Sequence, residues 1–145
     1  MSHGLGQNGE HSPALPPMND PVLLQRISRL SRAGFWLATL AFLILALLPG
    51  ERLPPGLFDW WDKAQHALAF LVLGTLGFTA YPARHWRISL GLGLFGAFVE
   101  FAQAATGWRS GDVQDWLADA TGILLALALR AIWRANFASR RPVSD

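Results

Sequence analysis

The sequence predicts an all-α, polytopic membrane protein: four transmembrane helices preceded by an amphipathic helix, with both termini cytoplasmic. Three observations predict it. Apolar residues make up 52 % of the 145 and charged residues 15 %, against roughly 25 % charged in an ordinary soluble domain. Lipid covers apolar surface that water cannot. Four apolar runs, at 33–48, 64–81, 88–105 and 116–133, each approach the ~20 residues that a helix needs to cross ~30 Å of hydrocarbon. The basic residues then fall unevenly on the segments between the runs. There is no cysteine, which excludes disulfides, zinc–thiolate sites and thiol nucleophiles.

Residues 1–20 are rich in Gly, Pro, Ser and Asn and carry no apolar period, so a disordered tail is expected there. His3 and His11 lie in it, and no metal role is expected of them. At 21–32 the pattern changes. Asp20 suits a helix cap and Pro21 the first helical position. Val22, Leu23, Ile27 and Leu30 fall on one side and Arg26, Arg29 and Arg32 on another, a short basic amphipathic helix suited to an anionic membrane surface. The alternative is a solvated lead-in to the next helix. The run at 33–48 ends in Pro49-Gly50; a positive flank before it resembles a signal peptide, but Leu47-Leu48-Pro49-Gly50 offers no small-x-small cleavage site, so the run is expected to stay. The second run ends at Pro82, and the fourth carries Arg130 and Arg134. Together 33–134 form the four-helix domain, and 135–145 a basic cytoplasmic tail.

With both ends cytoplasmic, the inside holds Arg26, Arg29, Arg32, Arg84, Arg87, Arg130, Arg134, Arg140 and Arg141, and the outside holds Arg52, Lys63 and Arg109. The bias recurs in every inner segment, as the positive-inside rule requires. The stretch 100–122 (EFAQAATGWRSGDVQDWLADATG) then faces outward. Charge in or beside a bilayer-crossing segment is expensive and tends to have a job. Asp62 and His66 are spaced to share a helix face, as are Glu100 and Gln103, and Asp112, Asp115 and Asp119. Each set lies above small or apolar residues (Ala69 and Gly77; Gly93 and Gly96; Gly122 and Ala126) of the kind that lets membrane helices approach. Glu100 stands about 18 Å along a helix from Ile88, and Asp119 about 17 Å from Arg130, at similar depth in the outer half. Convergence of Asp62, Lys63, His66, Glu100, Gln103, Arg109, Asp112, Asp115 and Asp119 at the outer mouth of a three-helix contact is therefore expected.

Plainer roles exist for each group. Glu100 with Arg109, or Asp119 with His66, would serve as structural ion pairs. Trp60, Trp61, Trp108 and Trp116 suit an outer aromatic belt, and Gly91, Gly93 and Gly96 suit helix packing.

At these residues the sequence resembles the VanZ-like family of small bacterial membrane proteins. The resemblance covers about 60–122. It rests on Asp62, Lys63, His66 and Phe70, then Glu100 and Gln103, then Arg109, Asp112 and Asp115, then Asp119 with Gly122. The chain departs from the family pattern at Asp119, where an asparagine is usual, which adds a negative charge deep in the outer half. The resemblance implies a multi-pass protein of the bacterial cytoplasmic membrane with a cell-envelope role, in resistance to the glycopeptide teicoplanin or in exopolysaccharide functions. It does not name a reaction.

Three functional readings remain open. In the first, the outer cluster binds a lipid headgroup, a lipid-linked glycan precursor or a glycopeptide, with Lys63 and Arg109 holding an anionic group. In the second, the protein is a membrane-embedded hydrolase or transferase acting on a phospholipid or polyprenyl phosphate. His66 is then base or nucleophile, oriented by Asp62 or Glu100, and Arg109 stabilises developing charge. A variant adds a divalent cation on His66, Glu100, Asp115 and Asp119. In the third, the cluster only locks helices together. No cofactor or resident metal is expected. Membrane lipid is the expected partner, a homo-oligomer is compatible, and nucleic acid is not expected, because lipid headgroups lie nearer to the spread arginines.

Overall fold

The computed structural model describes residues 21–52 and 62–138, with side chains to residue 136. The expected tail at 1–20, the belt residues Trp60 and Trp61, and most of the basic tail lie outside the described residues. Within them the protein is helical throughout: α1 (Pro21–Leu47), a single 3₁₀ turn (Gly50–Arg52), α2 (Asp62–Ala80), α3 (His85–Thr106) and α4 (Val113–Ala138).

Helix α1 runs unbroken through 21–32 and 33–47, so the basic stretch and the first apolar run share one axis, about 40 Å long. Helices α1, α3 and α4 are long and apolar enough to cross a membrane. Helix α2 is more polar, because its first turns carry Asp62, Lys63, Gln65 and His66. It is also the most enclosed, with His66, Phe70, Leu73, Gly74, Gly77, Phe78 and Ala80 buried. A helix walled by other helices meets little lipid, so it tolerates polar groups that a peripheral helix does not. The outer faces of the peripheral helices expose Leu37, Leu40, Leu94, Phe98, Phe101 and Leu124; an apolar surface of that kind suits lipid.

Helices α2 and α4 pack most closely. A Cβ at Gly122 would run into the Ala67 carbonyl and the Leu71 amide of α2, and a Cβ at Gly74 would lie 2.7 Å from the Ala126 Cβ. On the other side, Phe35 of α1 covers Gly77. Phe42 of α1, Phe70 of α2 and Phe95 of α3 join in a cluster with ring centroids 5.3–6.2 Å apart. Among the described residues the backbone of α1 comes close to those of α2 and α3 but not to that of α4. Gly91 and Gly93 are not packing contacts of this kind: a Cβ at either would meet nothing within 4 Å.

Chain termini of the helices follow local chemistry. Pro82 disfavours helical backbone at Tyr81, and the Arg84 amide donates to the Tyr81 carbonyl (2.9 Å) to close the α2–α3 turn. The freed carbonyls of α2 take cations: Arg32 Nε donates to the Ala80 carbonyl (3.2 Å), and Arg130 donates to those of Phe78 (3.3 Å) and Pro82 (2.7 Å). Positive charge suits the negative end of the helix dipole. Helix α3 ends at Gly107, whose φ of +80° is the left-handed conformation that glycine reaches without a Cβ clash.

Gly122→Ala is expected to lower the unfolding temperature, by an overpacking cost of about 1–3 kcal/mol, because backbone cannot move aside as a side-chain tip can. Gly91→Ala should leave it unchanged. Thermal melts of both variants in one detergent check the pair.

Candidate functional site

One end of the bundle gathers the C-terminus of α3 and the N-termini of α2 and α4. Asp112 organises it. Its Oδ1 accepts the Gln114 amide (2.8 Å) and so caps α4. Its Oδ2 accepts from Lys63 Nζ (2.9 Å), and its own amide donates to Glu100 Oε2 (2.7 Å). The Gln114 amide first, then the Lys63 ammonium, hold the Asp112 carboxyl below its ordinary value. A depressed pKa means that the stabilisation from this group is present above the ordinary carboxyl value and is lost as pH falls through the depressed one. A Cβ at Gly111 would strike the Glu100 carbonyl, so glycine there lets the turn fold back on α3. Lys63 also donates to Asp115 Oδ1 (3.1 Å) and thereby joins α2 to the start of α4.

One turn deeper lies a buried trio. His66 Nδ1 is 2.9 Å from Asp119 Oδ1 and 3.8 Å from Glu100 Oε1. Asp119 is fully buried, and His66 and Glu100 are 5 % and 9 % exposed. Glu100 Oε1 and Asp119 Oδ2 have no hydrogen-bond partner. Asp119 Oδ2 points at Gly96, where a Cβ would come within 2.5 Å of it, so the small residue on α3 makes room for the carboxylate on α4. Phe42 of α1 meets the imidazole edge-on, at 5.6 Å between centroids.

The third part of the site faces α1. Gln103 Nε2 donates to the Ala46 carbonyl (3.1 Å), Trp108 Nε1 to Leu47 (3.1 Å) and Arg109 Nε to Leu48 (3.3 Å). These are the carbonyls that the end of a helix leaves unbonded. A cavity of about 430 Å³ opens between α1 and α2. Its apolar walls include Ala38, Ala41, Leu45, Leu68 and Val72, and Asp62, Gln65, His66, Gln103 and Arg109 line its polar end.

The VanZ/LLP1 family matches residues 22–134. The chain belongs to the VanZ/LLP1 family. Comparison with curated proteins and comparison with solved structures both return no match. The family match takes in all four helices, α1 included, whereas the resemblance read from the sequence begins near residue 60.

Within this VanZ/LLP1 chain the nine residues singled out from sequence meet at one end, in three connected groups: Lys63, Asp112 and Asp115; His66, Glu100 and Asp119; Asp62, Gln103 and Arg109 beside the cavity. Two ligand-capable sets share the imidazole, one with Glu100 and Asp119 and one with Asp62 and Asp115. Of the two pairings offered as plainer roles, Asp119 and His66 do meet, at hydrogen-bond distance. Glu100 and Arg109 do not pair: the Asp112 amide takes the carboxylate and the end of α1 takes the guanidinium. Trp116 Nε1 donates to the Gly93 carbonyl (2.9 Å), staying exposed. Sequence reasoning missed the contribution of α1. The signal was present in Pro49-Gly50, which ends the helix and leaves carbonyls for side chains to find.

Lys63→Ala leaves the buried Asp115 carboxylate without its cation, so the variant should melt earlier. Adding Asp115→Asn should recover part of the loss, since the stranded charge goes with it. Melts of the two single variants and the double variant, compared as a cycle, check this coupling.

Proposed function

We propose that the protein binds a membrane lipid with an anionic head, its hydrocarbon chain lying between α1 and α2. The observation that carries this is the cavity itself. Its walls are aliphatic along the helices, and its polar end brings Arg109, Gln103 and His66 together. Arg109 offers charge-assisted hydrogen bonds to a phosphate, and Gln103 offers an amide oxygen without another partner as acceptor for a headgroup hydroxyl or amide. A chain-like ligand fits such a groove better than a large polar glycopeptide, so the class of ligand favoured is a phospholipid or a lipid-linked glycan precursor. A role in teicoplanin resistance or in exopolysaccharide assembly is then read through that lipid.

The same reading includes the topology. We take all four helices as spans of a bacterial cytoplasmic membrane, with both termini cytoplasmic and the cavity's polar end outside. Its support is that Arg32, Arg84, Arg87, Arg130 and Arg134 gather at the opposite end of the bundle, as the positive-inside rule requires.

One observation favours a second reading, hydrolysis or group transfer on the same lipid. The buried Asp119 carboxylate holds His66 Nδ1 at 2.9 Å, and a carboxylate there orients an imidazole whose other nitrogen acts as base. Asp119 thereby takes the orienting part expected of Asp62 or Glu100.

Native mass spectrometry of the protein in nanodiscs tests the binding reading, with phosphatidylglycerol and undecaprenyl phosphate against phosphatidylcholine. Retention of the anionic lipids should fall about tenfold or more in Arg109→Ala, the equivalent of one charge-assisted hydrogen bond. Filling the groove with Ala41→Trp should abolish it. Equal retention of all three lipids by wild type and Arg109→Ala would sink the reading. Headgroup turnover that is lost in His66→Ala would select the second reading.

A further inference from the structure

We propose that His66, Glu100 and Asp119 form a site for one divalent metal cation. The site shares His66 with the groove of the lipid reading, but its two carboxylates, Glu100 and Asp119, do not line that groove, so the cation is argued from α3 and α4 and is tested separately.

Charge balance is the first ground. Near the trio, Lys63 answers Asp112 and Asp115. Glu100 and Asp119 are left with the imidazole as their sole nearby basic group among the described residues, since Arg109 turns to α1. Two carboxylates held away from water beside one imidazole are costly unless a proton or a cation neutralises them. The second ground is geometric. One ligand atom from each of the three residues lies within 4.8 Å of the others, close enough to share an ion. The third ground is independent of both: Glu100 Oε1 is buried, has no partner, and stands 3.8 Å from His66 Nδ1. Its sister oxygen is already fixed by the Asp112 amide, so the carboxylate is aimed at the imidazole by the backbone of the α3–α4 turn. That is the orientation an outer hydrogen bond gives a metal ligand.

The structure also divides the four residues among which a cation was conceivable from sequence. Asp115 already answers Lys63 at 3.1 Å, whereas Glu100 and Asp119 each keep one buried oxygen without a partner. Two carboxylate oxygens and one imidazole nitrogen suit a first-row divalent ion such as Mn²⁺, with water completing its shell. A second cavity, about 300 Å³, borders Glu100 and the α3–α4 turn at Gly111 and Asp112.

The test uses the full chain in nanodiscs, stripped with chelator and titrated with Mn²⁺ alone. Free Mn²⁺ is read by electron paramagnetic resonance, and the bound ion by its ¹⁴N coupling. One Mn²⁺ per chain is expected, with coupling to a single imidazole nitrogen. Glu100→Gln should weaken binding about a hundredfold or more, beyond the ~10–100-fold loss when only a supporting group is removed. It should keep the helical circular dichroism of the wild type without metal. Asp119→Asn, which preserves shape and removes one charge, should do the same. Absence of stoichiometric binding, or bound Mn²⁺ without ¹⁴N coupling, overturns the proposal. Binding that is lost in Asp62→Asn but kept in Glu100→Gln also overturns it, in favour of the Asp62–Asp115 pair around the same imidazole.

Discussion

Gly122 lies against the Ala67 carbonyl and the Leu71 amide, and the position of nearly every polar group follows from that contact. A side chain at 122 would hold α4 away from α2. With hydrogen there, the two backbones close, and Asp119, one turn nearer the outer end on the same stripe, is carried against His66. Gly96 completes the fit from α3 by leaving space for Asp119 Oδ2. The charge at 119 is therefore held by two absent side chains as much as by its own hydrogen bond. In lipid, where helix association gains little from hydrophobicity, such close approach is what packing has to work with.

The two ends of the bundle then solve opposite problems. At one end α2 terminates, and its carbonyls are met by Arg32 and Arg130 from the helices on either side. At the other end α2 begins, beside the beginning of α4, and Lys63 bridges the acidic residues that open α4. Helix α2 is thus tied at both ends by charge and along its length by small-residue contacts. The trio sits between these ties, where neither α2 nor α4 has freedom to relax. The unpartnered oxygens of Glu100 and Asp119 are consequently a property of a tightly held place and not of a loose one.

The helices were legible because each leaves a length of apolar sequence, closed in two cases by a terminator: Pro49-Gly50 and Pro82. The convergence of these side chains at one end was legible too, since Glu100 with Gln103, and Asp115 with Asp119, fall on single faces by spacing alone. Partner choice was not. Glu100 and Arg109 are opposite in charge and close in sequence, yet each bonds to backbone: Glu100 to the Asp112 amide, Arg109 to the Leu48 carbonyl. Those bonds depend on how the 107–112 turn folds back and on where α1 ends beside it, and neither is a matter of periodicity. The amphipathic pattern at 21–32 hid a similar fact. It changes the surface of α1 without interrupting the helix, because nothing at residues 32–33 breaks backbone hydrogen bonding.

The bundle is also asymmetric. Helix α4 meets α2 through glycine and alanine at backbone distance, whereas α1 meets α2 through aromatic and aliphatic side chains. The cavity lies on the α1 side, where the packing is made of rotatable groups and where Ala38 and Ala41 thin the wall. A ligand chain already in the bilayer would reach that groove sideways, without leaving hydrocarbon. Its head would then meet Arg109 and Gln103, whose bonds to the end of α1 are the ones that must lengthen if α1 shifts. On the lipid reading, therefore, the residues that recognise the head are also those that tie α3 and the 107–112 turn to the end of α1.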